Sequence, residues 1–536
     1  MSNIKVIADK DEVVAIADAV RSKTGNTDSI VGLVGITNAI LDFNATKMED
    51  DLVTNALTEY TNDRVEYVGK GAFAYADIES VNFPECTCVE EYAFYSCSSL
   101  TSVSFPQCLY VDPYAFAYCS TLTTVDFPKC EEVMSYAFGN CTQLTTISFP
   151  ECTQIFSGAF ARCGLEEVNL PKCTLVGNYA FSACASLTSI DLPECMNIFS
   201  SAFDSCTNLT TISIPKCTSI EGQAFRRCSS LTSIAMPMCT NIGAYAFCNC
   251  NNLTTVDAPE CLTVGGYAFQ GCSSLTSISL PKCSEMGAAV FSQCSNLTSV
   301  DIPECTIIQG STFRSCYNLT TVNATKCSGI NQHAFYGCSA LTSISFPECE
   351  TIAYQAFYGC SSLAEVNMPK CLTVGEQAFS ACSSLTTATL PACTSVSYGA
   401  FYGCSSLATI SLPVCETIGA RAFYNCISLT EVNLPMCTTI SSSAFYGCSN
   451  LTTISLPACT TIKASVFDKC YRLVSLYLTG SVVCSLAGAM VSNPIAGYST
   501  YSGQLGTIYV PTSLLTAYQT ALYWSSYSSR MVAYDA

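Results

Sequence analysis

The chain has 536 residues, of which 49% are hydrophobic and only 12% charged, and its net charge is −19. Such an acidic surface repels phosphate backbones and anionic lipid, which argues against nucleic-acid and membrane-surface partners. No apolar run reaches the ~18 residues of a membrane span, and Met1 to Glu12 lack the apolar stretch of a secretory signal.

Residues 1–45 differ from the rest of the chain. Asp9 reads as a helix N-cap with Glu12 three positions on, and Val13, Ile16, Ala17 and Val20 form one apolar face up to about Lys23. Gly25 ends that helix, and a second short one carries Ile36, Ala39 and Ile40. Two such helices hold too little apolar surface for a core of their own, so they are expected to pack on something else. Residues 46–64 predict a third helix, to about Tyr60, that caps the first coil of a repeat region.

From 65 to 478 one unit of 22 residues repeats. Its copy at 100–121 places Leu100, Val103, Phe105, Cys108 and Val111 in the L-x-x-L-x-L-x-x-N/C-x-L pattern of a leucine-rich repeat. The phenylalanine of an A-F-x-x-C block marks the register from Phe94 to Phe467, in steps of 22 with one of 21 between Phe160 and Phe181; Phe73 marks an earlier copy without the cysteine. The alternating L-T-x-I-x-L segment predicts a short strand. A proline ends it in almost every copy, with Thr325 as the exception. The I-G-x-x-A-F segment is expected to return on the opposite side as 3₁₀ turns or irregular chain. The expected fold is a leucine-rich-repeat solenoid with a parallel β-sheet of about 18–19 coils. At about 4.8 Å per coil it makes a rod or shallow arc roughly 90 Å long. The period fails after Leu478, and 479–536 read as a C-terminal cap: a loop over 487–505, then a helix from Thr512 to about Tyr523.

Thirty-nine cysteines invite a disulfide or zinc reading, and register argues against both. Eighteen fall in a P-x-C column and eighteen in the A-F-x-x-C column, leaving only Cys88, Cys248 and Cys484 outside. A cysteine at the same register of every coil is a buried, reduced filler whose thiol donates weakly to backbone carbonyls. No C-x-x-C pair suggests a zinc site.

The repeats resemble the BspA-like leucine-rich repeats, whose I-G-x-x-A-F and C-x-x-L motifs are matched, for example, by Ile418–Phe423 and Cys426–Leu429. That resemblance implies the solenoid fold and, often, a surface adhesin. Ile16–Asp28, I-A-D-A-V-R-S-K-T-G-N-T-D, resembles a segment at the start of tail and other structural proteins of phages and prophages. It implies a virion protein made in the host cytoplasm, a tail fibre or receptor-binding type. Residues 1–60 would join other tail or baseplate proteins, and the solenoid would face a host-surface glycan or protein. The alternatives are a bacterial cell-surface adhesin and a purely architectural virion decoration. A homo-oligomer is compatible with either, although no heptad run demands one.

Little in the sequence suggests chemistry. The lone histidine, His333, sits in the variable slot before an A-F block with no oriented partner in view. No phosphate loop, H-E-x-x-H or calcium loop occurs, so no enzyme, metal or cofactor is expected. The outward strand positions, such as Thr124/Asp126 and Ser299/Asp301, form a small polar ladder. Tyrosines gather beside the A-F block instead. One column precedes it at Tyr92, Tyr114, Tyr136, Tyr179, Tyr245 and Tyr267; another stands after it at Tyr336, Tyr358, Tyr402, Tyr424 and Tyr446. The second column is the candidate ligand site, as rings one coil apart that bind sugar faces or a partner's apolar surface. The competing reading is that the rings stack on each other and shield the segment beneath.

Overall fold

The computed structural model describes residues 59–61, 65–490, 495 and 505–535. The helices expected within 1–45 and most of the one expected over 46–60 lie outside these residues. The last part of that third helix is corrected. Glu59–Thr61 is a strand, paired in parallel with Ser80–Asn82. Its L-T-E-Y-T sequence alternates as L-T-S-V-S does in a later coil, so it takes the same place in the ladder.

The chain divides into two compact units, residues 1–261 and 262–536, built from the same coil. In the first unit the coil at 100–121 shows the design. Val103 points inward from the strand Ser102–Ser104, flanked by the buried Leu100 and Phe105. Each residue of this strand pairs in parallel with its equivalent 22 positions away, Ser80–Asn82 on one side and Thr124–Asp126 on the other. At the short repeat the register slips to 21, with Thr146 opposite Glu167. Pro106 then occupies the second position of a tight turn closed by the Cys108 N–H on the Phe105 carbonyl (3.0 Å). A second strand of two residues, Tyr110–Val111, lies between Cys88–Val89 and Glu132–Val133 and makes a second parallel ladder.

The far side of the coil is more ordered than 3₁₀ or irregular chain. It consists of tight turns in which Tyr114 and Tyr118 have positive φ (58° and 63°). The N–H groups alternate. Those of Ala115, Ala117 and Cys119 turn back to the carbonyls three residues earlier, while those of Tyr114, Phe116 and Tyr118 donate to Ser135, Ala137 and Gly139 of the next coil (3.0, 2.7 and 2.8 Å). A left-handed residue at the third turn position forbids helical continuation and frees every second N–H for the neighbouring coil. The turns are therefore a third hydrogen-bonded ladder.

Between the ladders the apolar columns fill the coil. Phe116 and Phe138 are fully buried and stacked with centroids 5.1 Å apart, and the neighbours repeat this contact. The cysteine columns are buried fillers with directed thiols. Cys119 donates to the Phe94 carbonyl (3.0 Å) and Cys108 to the Tyr110 carbonyl (3.1 Å).

In the second unit the same ladders run on past Leu478, where the sequence period fails. Ser485–Leu486 pairs with Thr461–Ile462, Thr507–Val510 with Ser475–Tyr477, and Met531–Ala533 with Thr507–Val510. The helix expected from 512 to 523 is shorter. A 3₁₀ turn, Thr512–Leu514, leads into an α-helix over Leu515–Thr520, which stops because Ala521 is extended; a second 3₁₀ segment covers Trp524–Arg530. This segment fastens the last coil. The buried Trp524 donates from Nε1 to the Cys484 carbonyl (2.6 Å). The Cys484 N–H donates to the Tyr518 hydroxyl (2.9 Å), and the Met490 N–H to the Tyr527 hydroxyl (2.6 Å). Among the described residues no helix is long and apolar enough to cross a membrane.

Candidate functional site

Among the described residues, three surfaces present outward side chains. The first is the turn side, where both tyrosine columns stand. The column before the A-F block occupies the left-handed turn position, and Tyr92, Tyr114 and Tyr136 stack in parallel with centroids 5.1 and 5.2 Å apart. The stack ends against Gly158, where a Cβ would lie 2.4 Å from the Tyr136 ring. Glycine at that position leaves the ring its space.

The column after the block is split by Ser380. Tyr336 and Tyr358 stack at 5.0 Å, and Tyr402, Tyr424 and Tyr446 at 4.9 and 4.6 Å, all within 7° of parallel. The Arg314 guanidinium lies over Tyr336 (5.1 Å), and the Lys469 ammonium over Tyr446 (5.0 Å). Most ring faces are thus taken by another ring or a cation. The column offers a partner its edges and hydroxyls, with Tyr402 the most exposed at 39%.

His333 lies in the first column, at φ 58°. Its Nε2 is 3.1 Å from Gln355 Oε1, and Gln355 Nε2 donates to Gln377 Oε1 (2.6 Å). Tyr336 and Tyr354 meet its ring edge-on. These partners make it one rung of an amide ladder.

The second surface is the outward face of the three-residue strands. Its small polar groups are tied rung to rung: Ser104 donates to Asp126 (2.8 Å), and Asn169 to Ser148 (2.9 Å). In the second unit Ser279 and Asn323 both donate to Asp301, at 2.8 and 2.7 Å. These last residues line an open groove of about 480 Å³, together with Ser345 and Thr325. Towards residue 534 the face becomes aromatic. Tyr477 and Tyr509 stack at 4.4 Å, with Tyr534 edge-on to both. The sequence reading missed this cluster because 32 residues, not 22, separate the two stacked rings. The alternation in S-L-Y-L and T-I-Y-V was the signal that would have found it.

The third surface is the turn after the strand. There Glu151–Lys172, Glu194–Lys216 and Glu304–Lys326 make ion pairs of 2.6 Å between neighbouring coils. All are exposed, so each contributes little to stability.

Beneath these surfaces burial raises many of the thiols, whereas the Cys484 thiol, which donates to Cys459 (3.7 Å), holds Cys459 below its usual range. Burial pushes Cys316 and Cys382 up to about 12 and Cys173 up to about 11, so the neutral thiol prevails at ordinary pH. Among the described residues, no three His, Cys, Asp or Glu side chains converge in a group able to hold a metal ion.

Stacked coils with an inward L-x-x-L-x-L column and a parallel strand ladder define a leucine-rich-repeat solenoid. The family is settled by a match to the BspA type leucine-rich repeat region at residues 56–163, 131–253, 218–341, 306–414 and 373–488. The chain belongs to that family. The match begins at residue 56, so it does not bear on Ile16–Asp28. No curated protein matches the chain. A leucine-rich repeat protein from Bacteroides ovatus is 22% identical over 74% of this chain and 86% of its own, with a TM-score of 0.34. A leucine-rich cell surface protein from Faecalibacterium prausnitzii is 20% identical over 78% and 84%, with a TM-score of 0.23. The pneumococcal vaccine antigen PcpA is 14% identical over 82% and 85%, with a TM-score of 0.30.

Proposed function

We propose that this chain is a non-enzymatic adhesive protein of a phage particle, a tail fibre or receptor-binding type. In this reading residues 1–60 attach it to other tail or baseplate proteins, and the solenoid contacts a host-surface glycan or protein. The observation that carries the adhesive part is the coil surface itself. It repeats outward polar and aromatic side chains at fixed spacing on three hydrogen-bonded ladders, so a partner meets groups that are already ordered. The virion part rests on the likeness of Ile16–Asp28 to the start of phage structural proteins.

A second reading, a bacterial cell-surface adhesin, is favoured by the BspA-type family, in which surface proteins are common. The two readings place the chain differently. Antibody raised against the full chain is applied to purified particles and to envelope fractions of the producing bacterium. Label on particles supports the virion reading, and label on the envelope alone supports the second. Label on neither contradicts both.

A further inference from the structure

We infer that the groove at Asp301 is a binding site for one neutral sugar unit. This inference rests on the adhesive reading and gives it a location and a ligand class.

The column that holds Ile302 and Phe346 holds Ala324 in the coil between them, and all three are fully buried. Ala324 fills less of that column than Ile302 and Phe346 on either side of it. Thr325 stands where other coils carry the proline that ends the strand. Among the described residues of this unit the three-residue ladder breaks once, at this place: Thr321–Asn323 ends one sheet and Ser343–Ser345 begins the next. Ser345, from the coil beyond this break, lines the groove together with Thr321, Val322 and Asn323. The floor of the groove is apolar, with Val322 half-exposed beside the buried Val300.

One carboxylate stands in this groove. Asp301 Oδ2 accepts from the Ser279 hydroxyl (2.8 Å) and Oδ1 from the Asn323 amide (2.7 Å), which fixes its plane and leaves each oxygen able to accept again. Two adjacent sugar hydroxyls fit such an acceptor pair, in charge-assisted bonds. The hydroxyls of Thr325 and Ser345 donate or accept as required, and a sugar's C–H face covers Val322. The chemistry excludes the main competitors. A chain of net charge −19 disfavours acidic sugars and phosphates. A single carboxylate among hydroxyls falls short of the oxygen ligands a calcium ion takes.

The test titrates the full-length chain with the methyl glycosides of glucose, galactose and mannose, read by saturation-transfer NMR and calorimetry. Binding of labelled protein to bacterial cells is measured in parallel. At least one glycoside should bind, and Asp301→Asn should weaken it by about tenfold or more. Asp126→Asn alters the equivalent rung, bonded to Ser104 in the other unit, and should change nothing. Circular dichroism melts confirm that each variant is folded. The inference is overturned if no neutral glycoside binds, or if Asp301→Asn binds glycoside or cells as well as the unaltered chain. Glycoside binding without any cell binding would instead sink the adhesive reading and leave the groove standing.

Discussion

Raising the pH should unfold this protein through its cysteines. Cys316, Cys382, Cys349 and Cys415 are each pushed by burial from 9.0 up to about 12. Between those limits the unfolded chain has lost its thiol protons while the folded chain keeps them. The unfolded state then binds fewer protons, so stability falls as pH rises. Below 9.0 the contribution is fully present; above it each such thiol costs about 1.4 kcal/mol per pH unit. Roughly ten thiols in this range remove on the order of 10 kcal/mol within one unit, spread over the coils from Cys86 to Cys437, so each coil loses about 1 kcal/mol. The assay follows thiolate ultraviolet absorbance and far-ultraviolet circular dichroism together as pH is raised. The two signals should move together, near pH 10. Thiolate absorbance that grows in near pH 9 while the strand signal stays intact would refute the reasoning.

Other substitutions test the packing. Phe203→Ala removes a fully buried ring stacked at 5.3 and 5.2 Å on Phe181 and Phe225, and should cost about 3–5 kcal/mol in denaturant melts. Gly158→Ala adds a Cβ 2.4 Å from the Tyr136 ring at a φ of 62°; it should destabilise by about 1–3 kcal/mol and change the near-ultraviolet tyrosine signal. Ser443→Gly, at φ 58°, should stabilise by about 1 kcal/mol in the same melts, by removing a left-handed Cβ penalty. Tyr424→Ala deletes the middle ring of the three-ring stack and should cost about 1–3 kcal/mol. An unchanged melt with reduced cell binding would instead show that the column serves recognition and not packing.

The coil was legible because one apolar pattern recurs so many times that each inward column can be read directly, from Leu100 to Phe116. The turns were not. Left-handed positions usually advertise themselves through glycine, but here Tyr114, Gln223, His333 and Arg421 all occupy one such position, so it reads as variable surface. The glycines before cysteine, such as Gly403 at φ 73°, were the available clue. The tyrosine columns were found from spacing alone. That their faces pair with each other, capped by Arg314 and Lys469, depends on distances the sequence does not carry. The groove was marked by one visible exception in the sequence, Thr325, which lines it. Departures from the period also hid the last strands, because 32 residues separate Tyr477 from Tyr509 while the ladder continues across them.

The most direct test of the adhesive account is binding of the labelled chain to a panel of bacterial strains, full-length beside a form lacking residues 1–58. The account predicts that at least one strain binds and that the two forms bind it equally, because the solenoid makes the contact. Failure to bind any strain, or binding that disappears with residues 1–58, would contradict it.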